Sequence, residues 1–324
     1  MTRRPWLVLS TVVLLALAAT GVLLLTRGGE DAPSVPVNGE RSDGLTLLVV
    51  RTRSGPFGAV VGSTGAEDGA LVVPSQIQVT IPGQGDATLR DALELPPRQA
   101  ATAVANLLGV WVEHYAVLGT DRLTDVVDRA GGIVVGTDTI AGAEAVTMLE
   151  DAGEGGTSAF ALVVGGLLQA DPAWEPSDFA KADSPSSALT NFEAARGAAV
   201  SSLPIAEVAT DVFQADPEDV RAAVVYAFGG PDREVVNVIV LNGSGVPGVG
   251  ELVAEQIVPD GFRIVISENA SNFDHQETLV VVGSADDVPL GERVRDLLGT
   301  GSVNVSVPSG LAPVTIVVGK DFEG

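Results

Sequence analysis

The stretch with the clearest chemical meaning is VIVLNGSGVPGVG, residues 238–250. It places Gly243, Gly245 and Gly248 in G-x-G-x-x-G spacing directly after an apolar run, with Glu268 further along the chain. In dinucleotide-binding proteins such glycines let the backbone approach a pyrophosphate at a helix N-terminus, and an acid about 20 residues later binds the ribose. The spacing therefore raises the question of a dinucleotide site.

Length and location argue against a dinucleotide. The segment from Val235 to the C-terminus has about 90 residues, too few for a fold with two mononucleotide-binding halves. It is also predicted to lie outside the cell, where no nicotinamide pool is available. We therefore predict no cofactor and a tight turn, because Asn and Gly favour turns. Exposed helix N-termini attract anions, so a peptide, glycan or protein could bind there. The candidate partner-binding turn is Asn242, Gly243, Ser244 and Gly245.

Histidine and cysteine offer little for catalysis or metal binding. The chain has no cysteine and two histidines, His114 and His275, which fall in different predicted domains. Zinc sites of the His/Cys type therefore cannot be assembled, and a nucleophile–His–acid set has few ways to form. His114 lies in VEHYAVL, between a helix and an apolar run, and is predicted to pack or hydrogen-bond rather than act as a general base. No catalytic residue and no metal ligand are predicted.

The elements that would position these residues begin with an N-terminal anchor. Two arginines precede an uncharged apolar run from Trp6 to Leu25, and about 20 helical residues span the roughly 30 Å hydrocarbon core of a membrane. The arginines place the N-terminus in the cytoplasm and the rest of the chain outside. A cleaved signal peptide is the alternative, but the run extends past the cleavage-like Ala16-Leu17-Ala18. Residues 1–27 are predicted to be a cytoplasmic tip and a single-pass membrane anchor.

Charge limits the partners of the extracellular part. The chain has 42 acidic and 18 basic residues, a net charge of −24. This charge argues against nucleic acid and against bulk attraction to anionic lipid or polymer. Residues 28–44 are polar and rich in Pro and Gly, which predicts a linker between membrane and fold. The expected partner is a cell-envelope protein or glycan.

Residues 45–229 alternate short apolar runs with amphipathic ones, the pattern of an α/β domain. The predicted strands are LTLLVV, AVVGS, ALVVPS, IQVTI and GIVVGT. The predicted helices are PRQAATAVANLLG, TDRLTDVVDRAGG, AGAEAVTMLED, SAFALVVGGLLQA, SALTNFEAARGAAVSSL and PEDVRAAVVYAF.

A second, smaller α/β domain is predicted for residues 235–324, after the break at FGGPDRE. Strand VNVIVLN, helix GVGELVAEQIV and strand GFRIVIS form a βαβ-like start. ETLVVV, a helix at PLGERVRDLLG, and the strands VNVSVP and VTIVVG complete it.

The order of these segments resembles the LytR–CpsA–Psr family of envelope proteins. The segments that carry the resemblance in residues 45–229 are VPSQIQVTIPGQGDATLRDAL, LLGVWVEHYAVLGTDRLTDVVDRAGGIVV and IAGAEAVTMLED. Residues 235–322 resemble the LytR C-terminal domain, through VNVIVLNGSGVPGVGELVAEQI, GFRIVISENASNFDHQETLVVV and VTIVVGKDF. The resemblance implies a single anchor followed by two extracellular α/β domains.

The resemblance also implies a chemistry for which this chain lacks groups. Active relatives transfer a glycopolymer from a polyprenyl-pyrophosphate carrier, which needs arginines for the diphosphate and carboxylates for a metal ion. Ser75 and Gln76 stand where the family motif has arginine and aspartate. In LLVVRTR, Arg51 replaces the family's acid and Arg53 matches its arginine. The later arginine-rich segment is here AVTMLEDAGEGGTSAFALVVGGLLQ, without a basic residue. The candidate residual anion-binding residues are Arg51, Arg53 and Arg90.

These observations predict a membrane-anchored extracytoplasmic protein that acts in cell-wall assembly without catalysis, as an adapter or regulator. The alternative is a working glycopolymer–peptidoglycan ligase whose site has been rebuilt from other residues. Convergence of positive charge on one cleft would separate the two.

Overall fold

The computed structural model describes residues 44–64, 67–170, 172–229, 234–306 and 310–324. We call residues 44–229 the N-terminal part and residues 234–324 the C-terminal part; the described residues of both fall within one compact unit. The predicted anchor, residues 1–27, and nearly all of the predicted linker lie outside the described residues. Within the described ranges, no helix has the length and apolar character needed to cross a membrane.

A six-stranded mixed sheet forms the centre of the N-terminal part, in the order β10-β3-β2-β1-β6-β9. Its strands are β1 (Leu45–Thr52), β2 (Gly55–Ser63), β3 (Asp68–Val73), β6 (His114–Gly119), β9 (Lys181–Ala182) and β10 (Val200–Ser202). The two-stranded pairs beside it are β4 (Gln78–Ile81) with β5 (Gly85–Thr88), β7 (Ile133–Val135) with β8 (Asp138–Ile140), and β11 (Ala206–Ala209) with β12 (Val212–Gln214). Strand β1 pairs antiparallel with β2 and parallel with β6.

Helices cover both faces of this sheet. They are α1 (Leu89–Glu94), α2 (Pro97–Leu108), α3 (Thr120–Arg129), α4 (Gly142–Ala152), α5 (Thr157–Ala170), α6 (Pro185–Ala194) and α7 (Pro217–Phe228). Leu45, Leu47 and Val49 of β1 are buried in one hydrophobic cluster with α2, whereas Leu48 and Val50 are buried in a second cluster with α3 to α6. Because both faces are covered here, β1 is apolar without alternation from Leu47 to Val50.

A five-stranded sheet in the order β14-β13-β17-β15-β16 forms the C-terminal part. Its strands are β13 (Val236–Asn242), β14 (Phe262–Asn269), β15 (Leu279–Val282), β16 (Ser302–Val305) and β17 (Val314–Val318); its helices are α8 (Val249–Ile257) and α9 (Val288–Leu298). Strand β13 is parallel to both β14 and β17, and β15 runs antiparallel to β17. The predicted α/β class is confirmed for the described residues.

The two parts meet at the β14 edge of the five-stranded sheet. An edge strand such as β14 leaves backbone N–H and C=O groups without strand partners. The Asn106 side chain of α2 supplies partners for two such groups. Its Nδ2 donates to the Ile264 carbonyl at 2.8 Å, and its Oδ1 accepts from the Ile264 N–H at 2.7 Å. Val249 and Val253 of α8 lie in the same hydrophobic cluster as α2. The N-terminal part thus covers this edge.

One predicted helix is partly wrong. The pattern SALTNFEAARGAAVSSL predicts a continuous helix, but α6 ends at Ala194 and Val200–Ser202 forms β10, which is parallel to β3. Gly197 between them has φ +71°, a left-handed conformation that breaks the helix. Sheet pairing of the last residues therefore overrides their helical pattern.

Candidate functional site

The three candidate anion-binding arginines surround one hairpin turn, between β1 and β2. Arg51 and Arg53 flank its start, and the Arg90 guanidinium donates to the Ser54 carbonyl within it at 2.7 Å. Arg51 Nη2 donates to the Leu93 carbonyl of α1 at 3.4 Å. The structure therefore brings the three residues to the same end of the sheet, but two of them bind backbone carbonyls.

Arg51 and Arg53 differ in their surroundings. The Arg53 side chain is 92% exposed, and its Nε lies 3.9 Å from a Glu150 carboxylate oxygen on α4. Arg51 is half-buried, and its Nε has no hydrogen-bond partner within the described part of the chain. The Arg53 guanidinium thus extends into solvent beside an acid, whereas Arg51 has a buried Nε–H without a hydrogen-bond partner among the described residues.

Ser75 lies against the N-terminal turn of α1. It is buried, with 6% of its surface exposed, and its carbonyl accepts from the Arg90 N–H at 2.7 Å. Thr88 caps the same helix by accepting from the Asp91 N–H at 3.2 Å. The position at which the related family has an arginine is therefore a packed serine in this chain.

The described acidic and imidazole side chains near the sheet form hydrogen bonds and ion pairs. Among the described residues, no group of three or more His, Asp or Glu side chains could hold a metal ion. His114 Nδ1 lies 3.3 Å from Asp183 Oδ2, and Asp183 Oδ1 accepts from the Tyr115 N–H at 3.0 Å. These contacts agree with the hydrogen-bonding role predicted for His114, because one Asp183 carboxylate contacts both its imidazole and the next backbone N–H of β6.

The glycine-rich turn after β13 is held by its own side chains. Asn242 Oδ1 accepts from the backbone N–H groups of Ser244 and Gly245, at 3.2 and 2.9 Å, and from the Ser244 hydroxyl. Asn242 Nδ2 donates to the Val246 carbonyl at 2.9 Å. Gly245 has φ +77°, which a side chain would strain. The Asn242 side chain therefore stabilises the conformation of the turn itself.

A glycine that the spacing motif does not include has a clear packing role. A Cβ on Gly250, in the first turn of α8, would lie 2.5 Å from the Gly83 backbone nitrogen of the N-terminal part. The Gly83 N–H donates to Ser267 Oγ of β14 at 2.7 Å. The glycine-rich segment thus allows α8 to contact a loop of the other part. The chain repeats glycine at positions 243, 245, 248 and 250, but spacing alone gives no sign of this contact.

Clefts lined by described residues open where the parts meet, and two of them have the size of small-ligand sites. The larger, of about 560 Å³, is lined by Arg221, Glu234 and Arg263, among others. Burial lowers the pKa of the Arg263 guanidinium, whose Nε donates to the Asn106 carbonyl at 3.3 Å. The second, of about 440 Å³, runs beside the glycine-rich turn and is lined by both parts. We call it the turn cleft.

Burial raises the pKa of one carboxyl in the turn cleft, that of Glu251 on α8. The negative charge of Glu255 raises it further, whereas a hydrogen bond with Gln99 and the charge of Arg98 lower it. Gln99 belongs to α2, so the hydrogen bond joins the two parts.

A family model described as LytR cell envelope-related transcriptional attenuator matches residues 235–322. The C-terminal part is therefore a LytR C-terminal domain, as its sequence segments predict. No curated protein matches the chain.

Several solved structures are similar to the chain. A LytR-Csp2A-Psr enzyme from Actinomyces oris is 14% identical with a TM-score of 0.48, covering 62% of this chain and 96% of its own. The LytR-CPS2A-psr family protein TagT, with bound octaprenyl pyrophosphate lipid, is 17% identical with a TM-score of 0.45, covering 64% and 96%. A transcriptional regulator from Enterococcus faecalis is 16% identical with a TM-score of 0.45, covering 56% and 85%. The family model agrees with the resemblance stated from the sequence for residues 235–322.

Proposed function

We propose that this protein is a membrane-anchored, extracytoplasmic adapter of cell-envelope assembly that acts without catalysis, mainly through its LytR C-terminal domain. The observation that carries the proposal is the state of the arginines at the β1–β2 turn. Arg90 and Arg51 donate to backbone carbonyls of the same part, and Arg53 extends into solvent beside Glu150. A diphosphate needs several guanidinium groups that converge on one point.

The surrounding segments support the same proposal. Helices α4 and α5, residues 142–170, contain acidic residues but no lysine or arginine. Bringing a diphosphate near Glu150 would add like charges at short range, which disfavours binding. Arg53 pairs with Glu150 at 3.9 Å, but an ion pair this exposed is worth little.

The second candidate is a glycopolymer ligase with a rebuilt site. Two observations favour it: the buried Nε of Arg51, which lacks a partner within the described residues, and the name of the Actinomyces oris structure, an enzyme. In that case Arg51 would contact the diphosphate directly, although it stands where the related family has an acid.

Phosphate release from polyprenyl pyrophosphate with Mg²⁺ separates the two candidates. We expect the purified full-length protein to show no turnover, beside an active LytR–CpsA–Psr enzyme assayed in parallel. Turnover comparable to that enzyme, and lost in Arg51→Ala or Arg53→Ala, would contradict the proposal and support the ligase.

A gain-of-function variant provides the matched test. Ser75→Arg with Gln76→Asp restores two family residues, but we expect no activity because α4 and α5 still lack basic groups. Ser75 is buried, so circular dichroism must first show that the double variant is folded. Recovery of turnover by this variant alone would mean that the rest of the site is already in place.

A further inference from the structure

The turn cleft has the side-chain chemistry of a sugar-binding site. Its walls carry four amide side chains, one carboxylate and one aromatic ring, contributed by both parts of the chain. Two of the amides, Gln84 and Gln99, belong to the N-terminal part, whereas Glu251, Asn269 and Phe273 belong to the C-terminal part. Its volume of about 440 Å³ lies in the range of small-ligand sites.

The polar groups form a short chain across the cleft. Gln84 Nε2 donates to Gln99 Oε1 at 3.2 Å, and Gln99 in turn hydrogen-bonds the Glu251 carboxylate. Each amide has two donor hydrogens and an acceptor oxygen, and a carboxylate can accept several bonds. These hydrogen bonds therefore fix the orientation of Gln84, Gln99 and Glu251 and leave some of their donors and acceptors for a ligand. Vicinal hydroxyls of a sugar, each both donor and acceptor, match such a mixed set.

The aromatic residue supplies an apolar platform at the edge of the same cleft. Phe273 is 46% exposed, although its Cβ packs closely enough on Gly245 to lie 3.1 Å from a Cβ built there. Gly245 thus makes room for the phenyl group against the glycine-rich turn. The electron-rich face of an aromatic ring attracts the C–H groups on the apolar face of a pyranose, while the hydroxyls remain free for the amides.

Charge selects among possible ligands. Among the described residues that line the turn cleft, Glu251 is the charged one and no lysine or arginine is present. The chain as a whole carries a net charge of −24. Phosphate- or uronate-rich polymers would therefore be repelled, and a cationic peptide would find a single, partly buried carboxylate. An uncharged ligand rich in hydroxyl or acetamido groups fits the inventory best.

We propose that the turn cleft binds a neutral saccharide, with Phe273 stacking on one sugar ring and Gln99, Glu251 and Asn269 binding hydroxyl or acetamido groups. This inference rests on the proposed function, since it names the class of envelope partner that the LytR C-terminal domain would hold. It also assigns a purpose to the glycine-rich turn, which forms one wall of the cleft.

The proposal is tested by calorimetric titration of the full-length protein with a panel of neutral tetrasaccharides. The panel consists of N-acetylchitotetraose, maltotetraose and arabinotetraose, with tetragalacturonate as the anionic comparison. We expect at least one neutral member to bind, and Phe273→Ala and Gln99→Ala each to weaken it about tenfold or more, which is about 1.4 kcal/mol. Tetragalacturonate should bind more weakly than the best neutral ligand.

Tyr226→Ala is the matched control, because Tyr226 is an exposed aromatic residue, 68% accessible, that lies on α7 and does not line the turn cleft. It should leave the affinity unchanged. Absence of binding by every neutral member at millimolar concentration would overturn the proposal. An affinity that is insensitive to Phe273→Ala, or equal loss in Tyr226→Ala, would overturn the assignment of the site.

The outcome is distinguishable from failure of the proposed function. A protein that binds the saccharide and also releases phosphate from polyprenyl pyrophosphate would refute the non-catalytic role but retain the turn cleft. A protein that does neither would retain the non-catalytic role and refute the cleft.

Discussion

Asn106 is the residue whose removal tests the join between the two parts. Its side chain is 2% exposed and satisfies both backbone groups of Ile264 on the edge strand β14. The same Nδ2 also approaches the Thr80 carbonyl at 3.2 Å. Asn106→Ala deletes the amide and leaves the N–H and C=O of Ile264 without partners in a buried position.

The cost follows from those two groups. A buried donor or acceptor left unsatisfied costs about 1–3 kcal/mol, so the variant should lose about 3 kcal/mol of unfolding free energy or more. For a chain of this size, this corresponds to a fall in Tm of roughly 6–12 °C. Urea unfolding followed by tryptophan fluorescence measures the loss, since Trp111 is buried directly after α2.

The matched control is Asn304→Ala, because Asn304 is an exposed asparagine on β16. A surface substitution of this kind should change stability by no more than about 0.5 kcal/mol. Hydrogen exchange adds a local measurement: the Ile264 amide should exchange faster in Asn106→Ala than the change in global stability accounts for. If the two variants are equally stable, the amide does not hold the parts together and the reasoning fails.

Three further predictions concern location, pH and the independence of the parts. A reporter fused after Gly324 should be active only outside the cytoplasm, because the arginines precede the predicted anchor; cytoplasmic activity would overturn the localisation. Glu251→Gln should be more stable than the wild type at neutral pH. Because the pKa of the Glu251 carboxyl is raised in the folded protein, the carboxyl favours folding at pH values below the ordinary glutamate pKa. This contribution to the free energy of unfolding is lost as the pH rises through the pKa of the folded protein. Urea unfolding from pH 4 to 8 measures the difference in unfolding free energy between the variant and the wild type. A difference that does not change with pH would contradict the raised pKa of Glu251. Residues 235–324 expressed alone should fold, since they hold a complete five-stranded sheet, but with lower stability and a tendency to associate through the uncovered edge β14. A broad, non-cooperative melt of that fragment would show that it needs the N-terminal part to fold.

Local pattern was sufficient for most of the elements. The apolar runs at β1 and β13 are recognisable as strands from composition alone, and the amphipathic patterns of α2 and α9 predict helices equally directly. One predicted helix was wrong at its C-terminal end. Val200–Ser202 follows a helical pattern, but it forms β10 because the edge of β3 offers backbone partners that no local pattern reveals.

The candidate site was less accessible to sequence reasoning. Glycine spacing identified the turn at Asn242, and the family resemblance identified the arginines, which the structure places around the β1–β2 turn. The sequence could not show that Arg90 would donate to the Ser54 carbonyl, because hydrogen-bond partners depend on the tertiary arrangement. The turn cleft was equally hidden, since Gln99 and Glu251 are far apart in sequence and meet only across the join.

Complementation of a deletion strain tests most directly whether the function lies in the C-terminal part. Two variants are compared at equal protein levels: one lacks residues 235–324, and the other carries Arg51→Ala with Arg53→Ala. If the protein is a non-catalytic adapter, the arginine variant restores the envelope of the deletion strain and the truncated protein does not. Restoration by the truncated protein, together with failure of the arginine variant, would contradict this account and assign the function to the β1–β2 turn.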